Sequence, residues 1–370
     1  MFDKWLADRT RLFDASGIRK VFDLAAKLDR PVNLSIGQPD FDAPESAKNA
    51  AIEAISSFKN GYTPTQGAAT LRSKIQAQVD ALYPGSGREV FVSSGVSGGL
   101  LLTLMALVNP GDEVIIFDPY FVMYDALVRM LGATPVYIST YPDFQIDVNK
   151  VAEAISPKTK LILFNSPANP TGAVAPRETV RELAALADEK GVALVSDEIY
   201  KFFCYDGEFH SPAEFSPNVI VLDGYSKCYG MPGWRLGFVH GPAQLMQEML
   251  KFQQYTFVCA PSVLQLGAVA ALDTDMTPYL DAYRRKRDLV YNGLKDYYEI
   301  PKSCGAFYTF PKAIGASATD FVTKAIQEHQ LLIIPGNVFS SRDTNFRISF
   351  AAADSVIEEG VEILQKMARE

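Results

Sequence analysis

From about Leu34 to Ala270 the chain alternates short β-rich runs with stretches of helical periodicity. That alternation restricts it to an α/β architecture, because strands joined by crossover helices assemble side by side as a largely parallel sheet. Strands are expected at Glu113–Asp118, Thr134–Ser139, Lys160–Asn165, Val192–Asp197, Val219–Asp223 and Leu236–His240. The clearest helix is Arg177–Lys190, RETVRELAALADEK, whose apolar residues recur at helical spacing and which Gly191 should stop. A Gly/Ser turn, Val92–Gly99, follows a short strand and opens a helical run at Leu100–Val108.

The texture changes after Pro278. A charged helical stretch at Tyr279–Asp296 leads to GAFYTFP, a helix near Thr319–His329, short strands and a last helix from Ser355. These elements read as a smaller α/β unit. The expected organisation is an N-terminal segment over 1–33 packing with the small unit, a large domain over 34–275 and a small C-terminal domain over 276–370. A chain of 370 residues is too long for one typical core. Without a Gly- or Ser-rich linker, the units should pack tightly.

Composition narrows the functions open to such a fold. Lys plus Arg number 35 against 43 Asp plus Glu, a net charge of -8, which disfavours a general nucleic-acid binder. Cys204, Cys228, Cys259 and Cys304 stand far apart and form no CxxC pair. Neither a disulfide framework nor a zinc site is expected, and a reducing cytoplasm fits best. His210, His240 and His329 do not cluster with cysteines or carboxylates along the chain, so no metal is expected. The opening MFDKWLADRTRLFDASGIRK carries charges throughout and lacks the apolar core of a signal peptide. The longest apolar run, around Leu100–Val108, is too short to span a bilayer. The expectation is a cytoplasmic chain with no membrane or nucleic-acid partner.

Three of the expected strands end in polar residues. Asn165-Ser-Pro-Ala-Asn-Pro-Thr-Gly172 follows one, a turn fixed by two prolines and a glycine that aims Asn169 at the crevice beyond the sheet. Asp197 closes a second, in Val195-Ser-Asp-Glu-Ile-Tyr200, and carboxyl ends of parallel strands point into the crevice where such sheets bind ligands. Lys227 follows a third, inside DGYSKCYGMPGWRLG, with Arg235 eight residues later. A loop lysine and a surface arginine would be unremarkable alone. Together with an amide, a carboxylate and a phenol, they match the needs of pyridoxal 5′-phosphate. That cofactor requires a lysine Schiff base and an acidic partner at its pyridine nitrogen. Lys227 and Asp197 supply these, Asn169 and Tyr200 suit the ring oxygen, and the planar fork of Arg235 suits the phosphate.

The elements NSPANPTG, SDEIY, SKCYGMPGWRLG and FRISFA, in that order, resemble the class I aminotransferases of the aspartate aminotransferase fold type. The likeness covers essentially the whole chain. It implies an α/β fold with a large cofactor-binding domain, its mostly parallel sheet flanked by helices, and a smaller α/β domain. By this resemblance Gly95, Val96 and Ser97 line a phosphate cup, helped by Ser226, where backbone N–H groups and a helix dipole favour an anion. Phe121 stacks on the pyridine ring. Tyr62, in GYTPTQG, reaches the phosphate of a neighbouring subunit, which makes the enzyme a homodimer with active sites at the interface. Arg347 clamps the substrate α-carboxylate, with the backbone N–H of Gly37 on the same group. Gly336 and Phe339 shape a turn, and Cys228 is a packing residue.

The implied activity moves an amino group from an L-amino acid to a 2-oxo acid, plausibly 2-oxoglutarate, in two half-reactions on Lys227. Lys227 would serve as the base, so the site must depress a pKa that is about 10.4 in free lysine. Some aspartate-specific relatives carry a lysine in the phosphate-cup turn where this chain has Ser97, which weakens aspartate as the preferred donor. The same cofactor residues would serve a carbon–sulfur β-lyase. A ligand sensor of aminotransferase type is a further alternative, although no basic helix-turn-helix precedes the fold.

Overall fold

A computed structural model describes residues 2–13, 17, 28 and 30–370. The strands are β1 (Val32–Asn33), β2 (Arg88–Ser94), β3 (Glu113–Asp118), β4 (Thr134–Ser139), β5 (Thr159–Asn165), β6 (Ala193–Asp197), β7 (Ile220–Gly224), β8 (Leu236–Pro242), β9 (Tyr308–Thr309), β10 (Leu331–Leu332), β11 (Ile334–Pro335) and β12 (Phe346–Ser349). The helices are α1 (Glu45–Ser56), α2 (Ala69–Leu82), α3 (Gly95–Leu107), α4 (Val122–Met130), α5 (Val148–Ala154), α6 (Arg177–Lys190), α7 (Ala243–Thr256), α8 (Ser262–Ala271), α9 (Thr277–Leu294), α10 (Ala318–His329) and α11 (Asp354–Met367).

Seven strands form the central sheet in the order β2-β8-β7-β6-β5-β3-β4. The five strands from β3 to β7 run parallel, while β8 is antiparallel to both β7 and β2. The α/β class with a mostly parallel sheet is therefore as the alternation demanded. In β5 every residue from Leu161 to Phe164 is at most 4% exposed, since helices cover both faces and leave no polar side to alternate with. Its side chains divide by parity: Ile162 and Phe164 join one apolar cluster, Leu161 and Leu163 the other. Behind the sheet's end a third cluster unites β9 to β12, α10 and α11 with Leu34, Ile199, Tyr200 and Phe203. The C-terminal elements are thus packed directly onto the carboxyl edge of the sheet. Of the segment 1–33, residues 1, 14–16, 18–27 and 29 lie outside the described residues; β1 at its end pairs in parallel with β10.

Local sequence explains most boundaries. α6 begins after Pro176 and ends at Gly191, whose φ of 64° is the left-handed cap foreseen for it. α10 is capped by Ser317, whose Oγ accepts from Asp320 N at 3.1 Å. One boundary differs from expectation. The helix predicted at Leu100–Val108 starts at Gly95 instead, directly after β2. Gly95 has φ of 70°, a conformation costly for other residues, and this single residue turns strand into helix without a loop. The Gly/Ser turn is consequently the first turn of α3.

Leu222 sits in β7 with no exposed surface, paired with Asp197 on one side and Val239 on the other. Leu222→Ala should lower unfolding stability by about 2–5 kcal/mol, read from chemical denaturation. A loss below about 0.5 kcal/mol would contradict the close packing inferred for the sheet.

Candidate functional site

The register of the sheet assembles the site. Asn165 pairs with Asp197, so the last residues of β5 and β6 lie side by side, and Asp197 pairs in turn with Leu222, two residues before β7 ends at Gly224. Asn165 stitches two of these ends together. Its Nδ2 donates to the Asp197 carbonyl at 2.9 Å, and its Oδ1 accepts from Asn169 N at 3.0 Å. The turn bearing Asn169 is thereby fixed to the strand bearing Asp197. Lys227 follows β7 by three residues, and Arg347 enters from β12.

These groups surround one cavity of about 380 Å³, within the usual range for small-molecule sites. Gly37, Val96, Ser97 and Phe121 line it, as do Asn169, Asp197, Tyr200, Ser226, Lys227, Arg235 and Arg347. Of the residues predicted from sequence, two are not in the lining. Gly95 lies just beneath it, where an added Cβ would stand 2.5 Å from Arg235 Nη2. Tyr62 is 86% exposed and stays outside the cavity of its own chain.

Lys227 Nζ donates to the Gly37 carbonyl at 2.6 Å. Desolvation by the cavity walls, with repulsion from Arg347 and Arg235, lowers its pKa to about 8, and Asp197 offsets part of the shift. Asp197 is buried, and desolvation raises its carboxyl pKa to about 6. Hydrogen bonds from Tyr124 and the Ile199 amide oppose that rise. Arg235 Nη2 donates to Ser97 Oγ at 2.6 Å, across the first turn of α3.

Arg347 is 1% exposed. Its Nη1 donates to Asn169 Oδ1 at 3.0 Å and its Nη2 to the Ser35 carbonyl at 2.8 Å. The guanidinium lies between the Tyr308 and Phe339 rings, 4.5 and 4.7 Å from their centroids. Nε has no hydrogen-bond partner among the described residues. Among them no carboxylate pairs with Arg347 either. A buried guanidinium held by neutral groups retains its full charge for an incoming anion.

Two residues of the site went unassigned in the sequence. Tyr124, one turn into α4, donates its hydroxyl to Asp197 Oδ2 at 2.7 Å. Tyr308 shares a 2.9 Å hydrogen bond with Tyr200 and flanks Gly37, where a Cβ would stand 2.7 Å from the Tyr308 hydroxyl. The rule that finds Tyr124 is physical: a tyrosine buried beside a strand-end carboxylate needs a partner for its hydroxyl. Phe339 also does more than shape a turn, since it stacks on Arg347.

The histidines require a correction. They do not stand apart from carboxylates: His210 Nδ1 lies 3.2 Å from Glu214, and His329 groups with Glu328 and Glu370. Sequence spacing hid the second contact because α10 and the chain's last residue meet only in the fold. Lys324 already occupies Glu370 Oε2 at 2.6 Å. None of these residues lines the cavity. Cys228 is half-buried and its thiol is pushed up by burial, in keeping with a packing role.

The donor set suits pyridoxal phosphate. A depressed lysine, a buried carboxylate, a helix N-terminus with Ser97 and Arg235, and a ring-sized apolar wall at Phe121 all face one cavity.

Three comparisons bear on this geometry. The family described as "Aminotransferase class I and II" matches residues 29–364. An aspartate aminotransferase from Sulfolobus acidocaldarius is 36% identical over 90% of this chain and 88% of its own. An aromatic-amino-acid aminotransferase from Thermococcus litoralis is 32% identical over 99% and 98%. Among solved structures, the Thermus thermophilus aspartate aminotransferase with maleate superposes with a TM-score of 0.93 at 31% identity, covering 98% and 99% of the two chains.

A lysine with pKa near 8 is half neutral at that pH. Capture of pyridoxal phosphate by the cofactor-free chain should speed up as pH rises, with a midpoint near 8 and a plateau above. Stopped-flow absorbance across pH 6–10.5 measures this; a rate still climbing at pH 10 would contradict the desolvated lysine.

Proposed function

The chain belongs to the class I and II aminotransferases, and from that premise we propose that it transfers the amino group of an L-amino acid to a 2-oxo acid on pyridoxal phosphate held at Lys227. The observation that carries this reading is the convergence of Lys227, Asp197 and Arg347 on one 380 Å³ cavity.

Lys227 would anchor the cofactor, Asp197 would face its ring nitrogen, and Asn169 and Tyr200 its ring oxygen. Arg235, Ser97, Ser226 and the amides of Gly95 and Val96 would hold its phosphate, with Phe121 against the ring. When bound, the cofactor supplies an electron sink for the charge left as a proton departs from the substrate Cα. The remaining work falls to side chains of this protein.

Arg347 pairs with the substrate α-carboxylate and so fixes which bond faces Lys227, the Gly37 N–H completing the grip. Its own direction is set by Asn169 and the Ser35 carbonyl. Lys227, neutral in part near pH 8, would take the proton from the substrate Cα and return it at the cofactor's C4′ carbon, on the other side of the amino nitrogen. Tyr124 and the Ile199 amide keep Asp197 anionic near neutrality against the pull of burial. Ile36, Val96, Leu100 and Phe121 line the walls and exclude water. A second 2-oxo acid, 2-oxoglutarate in our reading, enters by the same grip and reverses the sequence, which makes the kinetics ping-pong.

Two further features are proposed with it. The exposed Tyr62 supports a homodimer in which that hydroxyl serves the neighbouring cavity. The relatives act, by their names, on aspartate or on aromatic amino acids, and both classes are donors to test here. Among the described residues no helix is long and apolar enough to cross a membrane.

The test is the absorbance of the cofactor-loaded protein on adding L-aspartate, L-glutamate or L-phenylalanine without an acceptor. Conversion to the cofactor's amine form, reversed by 2-oxoglutarate, is expected. Pyruvate and ammonia from a cysteine conjugate, with no such conversion, would move the assignment to a β-lyase. Lys227→Ala should abolish turnover, and substantial activity in that variant would refute the role given to Lys227. Arg347→Lys should raise KM about 10- to 150-fold, since a hydrogen bond to a charged group is worth about 1.5–3 kcal/mol.

A further inference from the structure

The segment Leu34–Asp40 supplies Gly37 to the cavity, and its two ends are held by different means. At the first end, Leu34 donates to the Leu332 carbonyl at 2.9 Å and accepts from Ser349 N at 2.8 Å. Ser35 receives Arg347. Ile36, Gly37 and Gln38 then cross the cavity wall, where Lys227 donates to the Gly37 carbonyl.

At the second end stands Asp40. Tyr283 donates to Asp40 Oδ1 at 2.6 Å and accepts from Asp40 N at 3.0 Å. Asp40 Oδ2 is paired with Lys286. Lys286 lies one turn beyond Tyr283 on α9, so both face the same way. Its Nζ also donates to the Ala352 carbonyl at 2.7 Å. Ala352 is five residues past Arg347, on the chain leaving β12. One buried ammonium therefore joins the segment bearing Gly37 to the segment bearing Arg347.

We propose that Lys286 is a positioning residue: through Asp40 and Ala352 it sets the separation of Gly37 and Arg347, the two halves of the carboxylate grip. The inference rests on the grip assigned under the proposed function. The Lys286 side chain is 10% exposed and that of Asp40 24%. Lys286 is buried but Asp40 is only partly covered, and a partly exposed pair adds little stability because solvent screens it and holding two side chains costs entropy. What the pair does supply is direction, since Lys286 hydrogen-bonds both Asp40 and the Ala352 carbonyl. Gly37 and Arg347 touch the substrate carboxylate and not the Cα–H bond that breaks, so a tie at this point acts on substrate binding more than on chemistry.

The experiment compares Lys286→Met, Asp40→Asn and the double variant in the cofactor-loaded enzyme, with L-aspartate and L-phenylalanine as donors. Each single variant should raise donor KM by about tenfold and change kcat less than about threefold. The double variant should match the singles, because both remove one tie. Lys286→Arg should restore much of the KM. Unchanged KM in both singles, or additive effects in the double, would overturn the proposal. Hydrogen exchange gives a readout independent of turnover: amides over 36–40 should exchange faster in Lys286→Met while those of β5 and β6 keep their rates. If wild-type protein transaminates neither donor, the functional reading fails, and the exchange result alone judges the tie. Unaltered exchange over 36–40 would then overturn it.

Discussion

A fully buried arginine with neutral partners is the constraint around which the rest of this site is arranged. Arg347 carries a charge that the interior tolerates only because Asn169, the Ser35 carbonyl and two aromatic faces share its solvation. Each of those partners arrives on a different stretch of chain: the turn after β5, the segment after β1, β9, and the turn after β11. The packing of C-terminal elements against the sheet edge is thus inseparable from the solvation of one cation. It also explains why the third apolar cluster contains Tyr200 and Leu34 beside β12 and α11. Those contacts close the cavity around Arg347.

The sheet contributes by register rather than by any single residue. β5 and β6 end in register, β7 runs two residues further, and Asn165 hydrogen-bonds both its own turn and the neighbouring strand. An error of one residue in either pairing would turn Asp197 to the opposite face. The uniform burial of Leu161–Phe164 offers no polar face to guide that choice. The polar strand ends and the fixed turns that follow them provide the guide instead.

Much of this was legible in the sequence because strand ends are local features. All six expected strands match the structure within two residues at either end, and Lys227, Asp197, Asn169, Arg235 and Arg347 all reached the cavity. The start of α3 was misplaced because Gly95 was read as part of a loop, and its positive φ is invisible in one sequence. Tyr124 carries no sequence signal of its own, since its value lies in where the hydroxyl points. Tyr308 sits in a two-residue strand, too short for any periodic signal. The contact of His329 with Glu370 spans 41 residues of chain and was equally hidden. What sequence reading misses here is pairing between elements, which depends on the finished fold.

After desolvation, the largest influences lowering the Lys227 pKa are Arg347 and Arg235, the two residues assigned to the substrate carboxylate and the cofactor phosphate. An anion beside either arginine cancels part of its field at Lys227. Loading the site therefore raises the affinity of Lys227 for a proton, in the same event that brings the Cα proton within reach. Desolvation works in the opposite sense and persists, because Gly37, Ile36 and Phe121 continue to wall the amine from water. The lysine is held where small changes in neighbouring charge move its proton either way, which is what a residue that both removes and returns a proton requires. A more exposed lysine, screened by solvent, would feel those changes far less.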